Sequence, residues 1–275
     1  MTSSAQTDLR RVTQEEKHQY QKALSFIILL IVTLVMVSVT FLNPFFMKGQ
    51  IRSDSNQVVV VRQVNKHFNT LAKEIGARQT DDANLLTTKQ TQPIADHIID
   101  YTLKPWFKVN KLTLANDILH DINLNIDQGA SSDAQLVQEK LKKQGSNAPY
   151  EVMDAFSLNT ITVGGNVAFG LLLLNIVLMI MAVISLRSLF NEIRAVFTKK
   201  MLIHVTTASI MWAGFWLILV AGIFALIPVI INVEGVAVLG YLLEIGSSIF
   251  LDFVIVGVLL YVFSAIPWKI TSPNN

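Results

Sequence analysis

Residues 155–186 read AFSLNTITVGGNVAFGLLLLNIVLMIMAVISL, thirty-two consecutive positions without an ionisable side chain. About 20 apolar residues in a helix cross the hydrocarbon core of a bilayer, and this stretch exceeds that length. Ile176, Val177, Ile180, Val183 and Ile184 are β-branched, which in water would favour a strand. In lipid every backbone donor must be paired within the segment, so an isolated span is helical whatever its propensity. The span is placed at residues 158–186.

Two further charge-free windows flank it in the chain, at 23–47 and at 201–233, the latter with His204 as its single ionisable residue. They define spans at 23–43 and 201–231, and a fourth apolar stretch gives a span at 236–267. Pro44 lacks a backbone donor and restricts Asn43 before it, so the pair reads as the stop of the first span. A cleaved signal sequence would have a shorter apolar run and a small-x-small site after it, so an uncleaved anchor is expected. The whole chain, 275 residues, is 52% hydrophobic and 15% charged, against about 25% charge in a typical soluble domain. A soluble core of this size could hardly bury four segments that are apolar on every side. The fold class expected is therefore membrane all-α: four transmembrane helices, with a mainly helical extracytoplasmic domain at 44–157 inserted between helices 1 and 2.

Basic residues near the span ends set the direction. Arg10, Arg11, Lys17 and Lys22 lie in the tail 1–22, and Arg187, Arg194, Lys199 and Lys200 lie in the loop 187–200 against the single acid Glu192. The connection between the third and fourth spans has no Lys or Arg, and Lys269 follows the last span in the tail 268–275. The positive-inside rule then puts both termini and the 187–200 loop in the cytoplasm of a cell membrane. Trp268 with Lys269 reads as an anchor at the inner interface, whereas Trp212 and Trp216 fall inside the third span.

Within 44–157, Val61, Val64, Phe68, Leu71, Ala72 and Ile75 recur at helical spacing up to Gly76, while Val58-Val59-Val60-Val61 fits a short strand equally well. Residues 94–106 carry Ile94, Ile98 and Tyr101 on one side. Residues 112–126 read as a helix through Leu114 and Ile118, or as a strand at Ile122, Leu124 and Ile126. Ser132 with Gln135 gives a capping-box pattern ahead of Leu136, Val137 and Leu141, and Gly145 ends that helix. Gly145-Ser146-Asn147-Ala148-Pro149 reads as a linker into the second span.

Chemistry-bearing residues are few. Glu244 and Asp252 stand eight apart on one face of the fourth span, about 12 Å along the axis, with Ser248 between them and Gly240 a turn above Glu244. An ionised carboxylate costs about 2.5–3.5 kcal/mol at a helix centre on insertion scales, so these acids should face a bundle interior, a cavity or a partner. Asn175, midway along the second span, is a companion for them, and Asn166 is expected near the outer surface close to Glu234. Either hydrogen-bonded glue between helices or an ion or proton site fits Asp252, Glu244, Ser248 and Asn175. In the inserted domain, Asp96, His97 and Asp100, and Asp117, His120 and Asp121, have spacings that can hold a metal if their segments are helical. Solvated faces rich in aspartate give the same pattern far more often. Pro228 should kink or end the third span. No Walker A sequence, glycine-rich nucleotide loop, H-E-x-x-H or G-x-S-x-G occurs, so no cofactor is expected and enzymatic activity is not the leading expectation. Without cysteine, disulfides, thiolate metal sites and cysteine nucleophiles are excluded. A net charge of +2 gives no reason to expect a nucleic-acid partner.

Leu186-Arg187-Ser188-Leu189-Phe190-Asn191-Glu192-Ile193-Arg194 continues the second span as an amphipathic segment. One helix, an outer domain, then three helices resembles the layout of the permease family of type VII ABC transporters, over the whole chain and without a motif matched residue by residue. The resemblance implies a mechanical transmitter, with a separate ATPase inside, in contact near 186–194, acting on the outer domain. The leading expectation is a non-enzymatic membrane subunit of a larger complex whose outer domain binds or senses a protein or cell-envelope ligand. Its partners would be the bilayer and either other membrane subunits or copies of itself. The alternative is a small ion-coupled transporter or permease subunit using the intramembrane acids, and a membrane hydrolase is a third reading.

Overall fold

The computed structural model describes residues 2–77, 84–126, 130–230 and 237–271, with side chains described there except at 2–14, 55, 228–230 and 237–244. The regular structure among those residues is all helical, without a strand. The helices are α1 (Thr2–Val39), α2 (Pro44–Ile51), α3 (Asp54–Glu74), α4 (Thr88–Leu103), α5 (Lys111–Asn125), α6 (Ser132–Gln144), α7 (Ala148–Ala155), α8 (Leu158–Val196), α9 (Lys199–Ile230) and α10 (Ala237–Thr271). Among the described residues four stretches are long and apolar enough to cross a membrane: Glu15–Val39, Leu158–Val196, Lys199–Ile227 and Ile245–Thr271. The chain forms two compact units, residues 39–174 and residues 1–38 with 175–275.

In the 39–174 unit, α3, α4, α5 and α7 pack on one another. Their shared core is Val59, Val64, Phe68 and Leu71 of α3, Ile94 of α4, Leu114, Ile118 and Ile122 of α5, and Val152 of α7, all buried. Val58–Val61 is helical. A β-branched run becomes a strand only where another strand pairs with it, and here Val59, Val60 and Val64 find their burial on one helical face instead. Residues 111–125 are helical throughout, so the alternating end at Ile122 and Leu124 is a helix with Ile122 buried and Leu124 exposed.

Several local expectations need correction. Pro44 does not simply stop the first span: α1 ends at Val39, and Pro44 opens α2, where a missing N–H costs nothing. Asn43 caps that new helix, its Oδ1 accepting from the N–H groups of Phe45 at 2.9 Å and Phe46 at 3.3 Å. The cap of α6 is Ser131 and not Ser132; its Oγ accepts from Ala134 N at 3.2 Å. Gln135 reaches back to Ala130 O at 3.0 Å. A capping box does occur, one helix earlier than α5, between Thr87 and Gln90 of α4. Gly145 ends α6 with φ +58, a conformation that favours glycine, but no open linker leads away from it. Gly145–Asn147 is a 3-10 turn that feeds α7, with Pro149 in its first turn. Separately, α9 is described to Ile230, two residues past Pro228, and the residues that follow up to 236 lie outside the described ones.

A polar clamp joins the first half of α8 to the segment after α4 within the same unit. Asn166 accepts from Lys108 N at 2.7 Å and donates to Lys108 O at 3.2 Å, so one amide satisfies both backbone groups of Lys108. Gly165 lets that segment lie close, because a Cβ there would come within 3.2 Å of Thr102 O and of the Lys108 side chain. Phe107 packs edge-on against Phe169 at 4.8 Å. The Lys108 side chain is buried, which lowers the pKa of its ammonium from the usual range, and Lys104 O accepts a hydrogen bond from it.

In the other unit, Leu24 of α1 meets Ile193, Phe197 and Val205 in one buried cluster, with Tyr20 edge-on to Phe197 at 5.9 Å. Helices α9 and α10 pack along their length, and small residues of α9, Ala213, Ala221 and Ala225, are buried there. Gly214 and Gly257 form the closest crossing. A Cβ on Gly214 would lie 2.7 Å from Gly257 O, and one on Gly257 would lie 2.9 Å from Gly214 O. Ser247 Oγ donates to Ala225 O at 2.9 Å, a second tie between the two helices. Without a hydrophobic driving force between helices in lipid, close backbone approach and such hydrogen bonds are what hold them together.

Candidate functional site

Asn175 is buried on α8 and faces α1. Its Nδ2 donates to Leu34 O at 3.0 Å and to Ser38 Oγ at 2.6 Å, while its buried Oδ1 has no hydrogen-bond partner. The amide therefore works as a link between the first and second spans. Interhelical hydrogen bonds of this kind contribute about 0.6–2 kcal/mol. A second polar link, which carries no pattern in the sequence, ties α1 to α9. Ser25 Oγ donates to Ser209 O at 2.8 Å, and Ser209 Oγ lies 3.1 Å from Gln21 O and 2.8 Å from Val205 O. Serine in a span bonds its own preceding turn or a neighbour, and spacing along one chain does not distinguish these.

Asp252 is the sixteenth of the thirty-five residues of α10. It is half-buried, with Leu251 and Ile255 beside it 53% and 56% exposed. Among the described residues no hydrogen bond or ion pair reaches it. Ser248 Oγ donates to Ile245 O at 2.8 Å, within its own helix. The side chain of Glu244 and the whole of Glu234 lie outside the described residues, and the hydrogen bonds of Asn175 go to α1.

Two of the four acidic candidates of the 39–174 unit are paired with cations from elsewhere in the chain. Asp100 Oδ2 accepts from Lys48 Nζ at 2.6 Å, and Asp96 Oδ2 from Arg52 at 2.5 Å. Both partners come from α2 and its end, more than forty residues away in sequence, so no local spacing announces them. His97 Nε2 stands 3.3 Å from Asp121 Oδ2. Burial pushes the Asp121 carboxyl up from its ordinary value, with His97 and His120 acting in the other direction. Asp117 is half-buried and His120 exposed on α5. Among the described residues no three His, Asp or Glu side chains gather as metal ligands would.

Sequence reasoning missed a groove in the unit formed by residues 1–38 and 175–275. One stretch of it, of about 500 Å³, runs between α1 and α9 past Lys22, Ser25, Phe26, Leu29 and Trp216. A second, of about 490 Å³, extends to α10 past Lys17, His204, Tyr261 and Trp268. The two stretches share His18, Gln21 and Trp212. His204 stacks on Trp268 with centroids 5.8 Å apart and an interplanar angle of 20°, and its Nδ1 lies 3.4 Å from Thr271 Oγ1. Asp252 lines neither stretch. No family model, no curated protein and no solved structure matches this chain.

Proposed function

We propose that this chain is a non-enzymatic membrane subunit that assembles with other membrane helices through the face of α10 around Asp252. The observation that supports the reading is a half-exposed carboxyl near the middle of α10, without a hydrogen-bonding or ionic partner among the described residues of its own chain. Such a group in hydrocarbon is costly, and a donor on a neighbouring helix offsets that cost. The ion-coupled alternative would need a wet path to Asp252, and the groove between α1, α9 and α10 does not include it. Partner helices could be copies of this chain or other subunits.

The test is photocrosslinking in native membranes from a probe amino acid placed at Leu251 or Ile255. A discrete protein adduct is expected, at twice 30.6 kDa for a homo-oligomer or at another single mass for a different subunit. Asp252→Leu should reduce the adduct about tenfold, as loss of a hydrogen bond worth 1–2 kcal/mol implies, whereas Asp252→Asn should retain it. Labelling of lipid alone from both positions would overturn the proposal. Loss of activity in Asp252→Asn with the adduct intact would turn the reading toward a titrating ion site.

In the same reading the membrane is the cell membrane, both termini and the basic stretch 187–200 are cytoplasmic, and residues 44–157 form an extracytoplasmic binding or sensing domain. The charge asymmetry supports this. Because the chain has no cysteine, single cysteines report directly. Ser132→Cys and Ser146→Cys, both at exposed positions, should react with a membrane-impermeant thiol reagent on intact cells. Ser188→Cys, also at an exposed position, should react only after permeabilisation. Labelling in the reverse order would invert the topology.

A further inference from the structure

We infer that the groove formed by α1, α9 and α10 binds an anionic glycerophospholipid, with the phosphate at Lys17, His18 and Lys22 and one acyl chain along Phe26, Leu29 and Trp216. The inference rests on the reading of these helices as membrane spans and is independent of the Asp252 proposal.

The groove changes character along α1. Residues 17, 18, 21 and 22 occupy adjacent i, i+4 rows and present two ammonium groups, an imidazole and an amide to one region. From Lys22 to Leu29 the helix rises about 10 Å, and over that rise the wall becomes Phe26, Leu29 and the two α9 tryptophans. A polar mouth followed by an apolar trough matches the sequence of groups in a phospholipid, from headgroup to chain. The cationic mouth is uncompensated: among the described residues neither Lys17 nor Lys22 makes a hydrogen bond or ion pair, and Glu15 and Glu16 are exposed and line neither stretch. Phosphate is the anion that lysines take as point charges. The mouth is also shaped, since His204 is held in place on α9 by its stack on Trp268 and its contact with Thr271. Free phosphate would satisfy the mouth and leave the trough uncovered, whereas a lipid covers both. Volumes of about 500 and 490 Å³ lie within the range of small-molecule sites.

The test uses the full chain in vesicles, with brominated acyl chains as quenchers of tryptophan fluorescence. Brominated phosphatidylglycerol should quench Trp212 and Trp216 at about a tenfold lower mole fraction than brominated phosphatidylcholine, from the charge of the two lysines. Lys17→Gln with Lys22→Gln should bring the two lipids to the same curve, in a protein whose size-exclusion profile is unchanged. Millimolar inorganic phosphate should leave the wild-type response in place. If that double variant does not fold, Trp212→Phe, Trp216→Phe and Trp268→Phe together serve, and they should remove the lipid-selective component while Trp106, which lines neither stretch, still fluoresces. Equal quenching of the wild type by both lipids would overturn the inference. So would a selective component that survives either the lysine or the tryptophan substitutions, and displacement by phosphate would reassign the site to free phosphate.

Discussion

Gly257→Val is expected to disrupt the α9–α10 pair and remove the protein from its monodisperse peak in detergent. The added Cβ alone would lie 2.8 Å from Ile218 Cγ1, 2.9 Å from Gly214 O and 3.1 Å from Ile218 N. Two of those three atoms are backbone, so relief requires the helices themselves to separate. Separation also weakens the Ser247 to Ala225 hydrogen bond and the stacking of Phe224 on Phe250 at 5.1 Å. Overpacking costs about 1–3 kcal/mol where side chains can yield, and more is expected where only backbone can. Gly214→Ala should show the same defect in milder form, because its Cβ meets Gly257 O at 2.7 Å. Gly222→Ala is the control: nothing lies within 4 Å of its Cβ, and alanine favours helix by about 1 kcal/mol. Thermal unfolding followed by size exclusion measures all three. A Gly257→Val protein as stable as the wild type would mean that α9 and α10 do not meet at this crossing.

Asn65→Leu should cost the 39–174 unit about 2–6 kcal/mol, since two buried backbone groups lose their partner at about 1–3 kcal/mol each. Asn65 on α3 is buried, accepts from Leu86 N at 2.7 Å and donates to Leu86 O at 2.9 Å and Val61 O at 2.9 Å. It pins the approach to α4 against α3 across twenty-one residues of sequence. Leucine has the same number and branching of side-chain heavy atoms, so the loss reads chiefly as hydrogen bonding. Asn65→Asp separates the roles further. The carboxylate keeps the acceptor for Leu86 N but faces two carbonyls, and burial would raise its folded pKa above the unfolded value of about 3.9. Its proton then becomes part of the native state. The stability of this variant should be greatest in acid and fall as pH rises from about 4 through the folded pKa. Calorimetry or circular dichroism of the full chain across pH checks both variants. An unchanged Asn65→Leu midpoint, or an Asn65→Asp midpoint that does not rise in acid, would show that the clamp contributes nothing.

The four spans were legible because lipid imposes a requirement that acts residue by residue. A window with little or no charge, longer than the hydrocarbon thickness, leaves the backbone only one way to satisfy itself, whatever its neighbours do. The same holds for helix ends marked by one residue's own conformation, as at Gly145. Patterns that admit two readings within a few residues were less secure. Ser131 and Ser132 can both cap a helix, and which one does so depends on the direction from which the chain enters α6. Val58–Val61 can be strand or helix, and the outcome turns on whether a neighbouring strand or a helical core is there to receive it. Pro44 starts α2, after α1 has already ended at Val39, because Asn43 adopts the capping conformation.

The candidate sites divide along the same line. That Asp252 lies in an apolar helix follows from composition alone, because the cost of a carboxyl in hydrocarbon depends on depth and not on fold. That Asn175 bonds Leu34 and Ser38, that Asp96 and Asp100 are held by Arg52 and Lys48, and that Gly214 and Gly257 touch depend on segments distant in the chain. The same is true of Lys17, Lys22, Trp212 and Trp268 sharing one groove. Solvent preference is an additive property of single residues and can be read from their order. Pair interactions exist only once the chain has brought both partners within a few ångströms, and that is settled by packing.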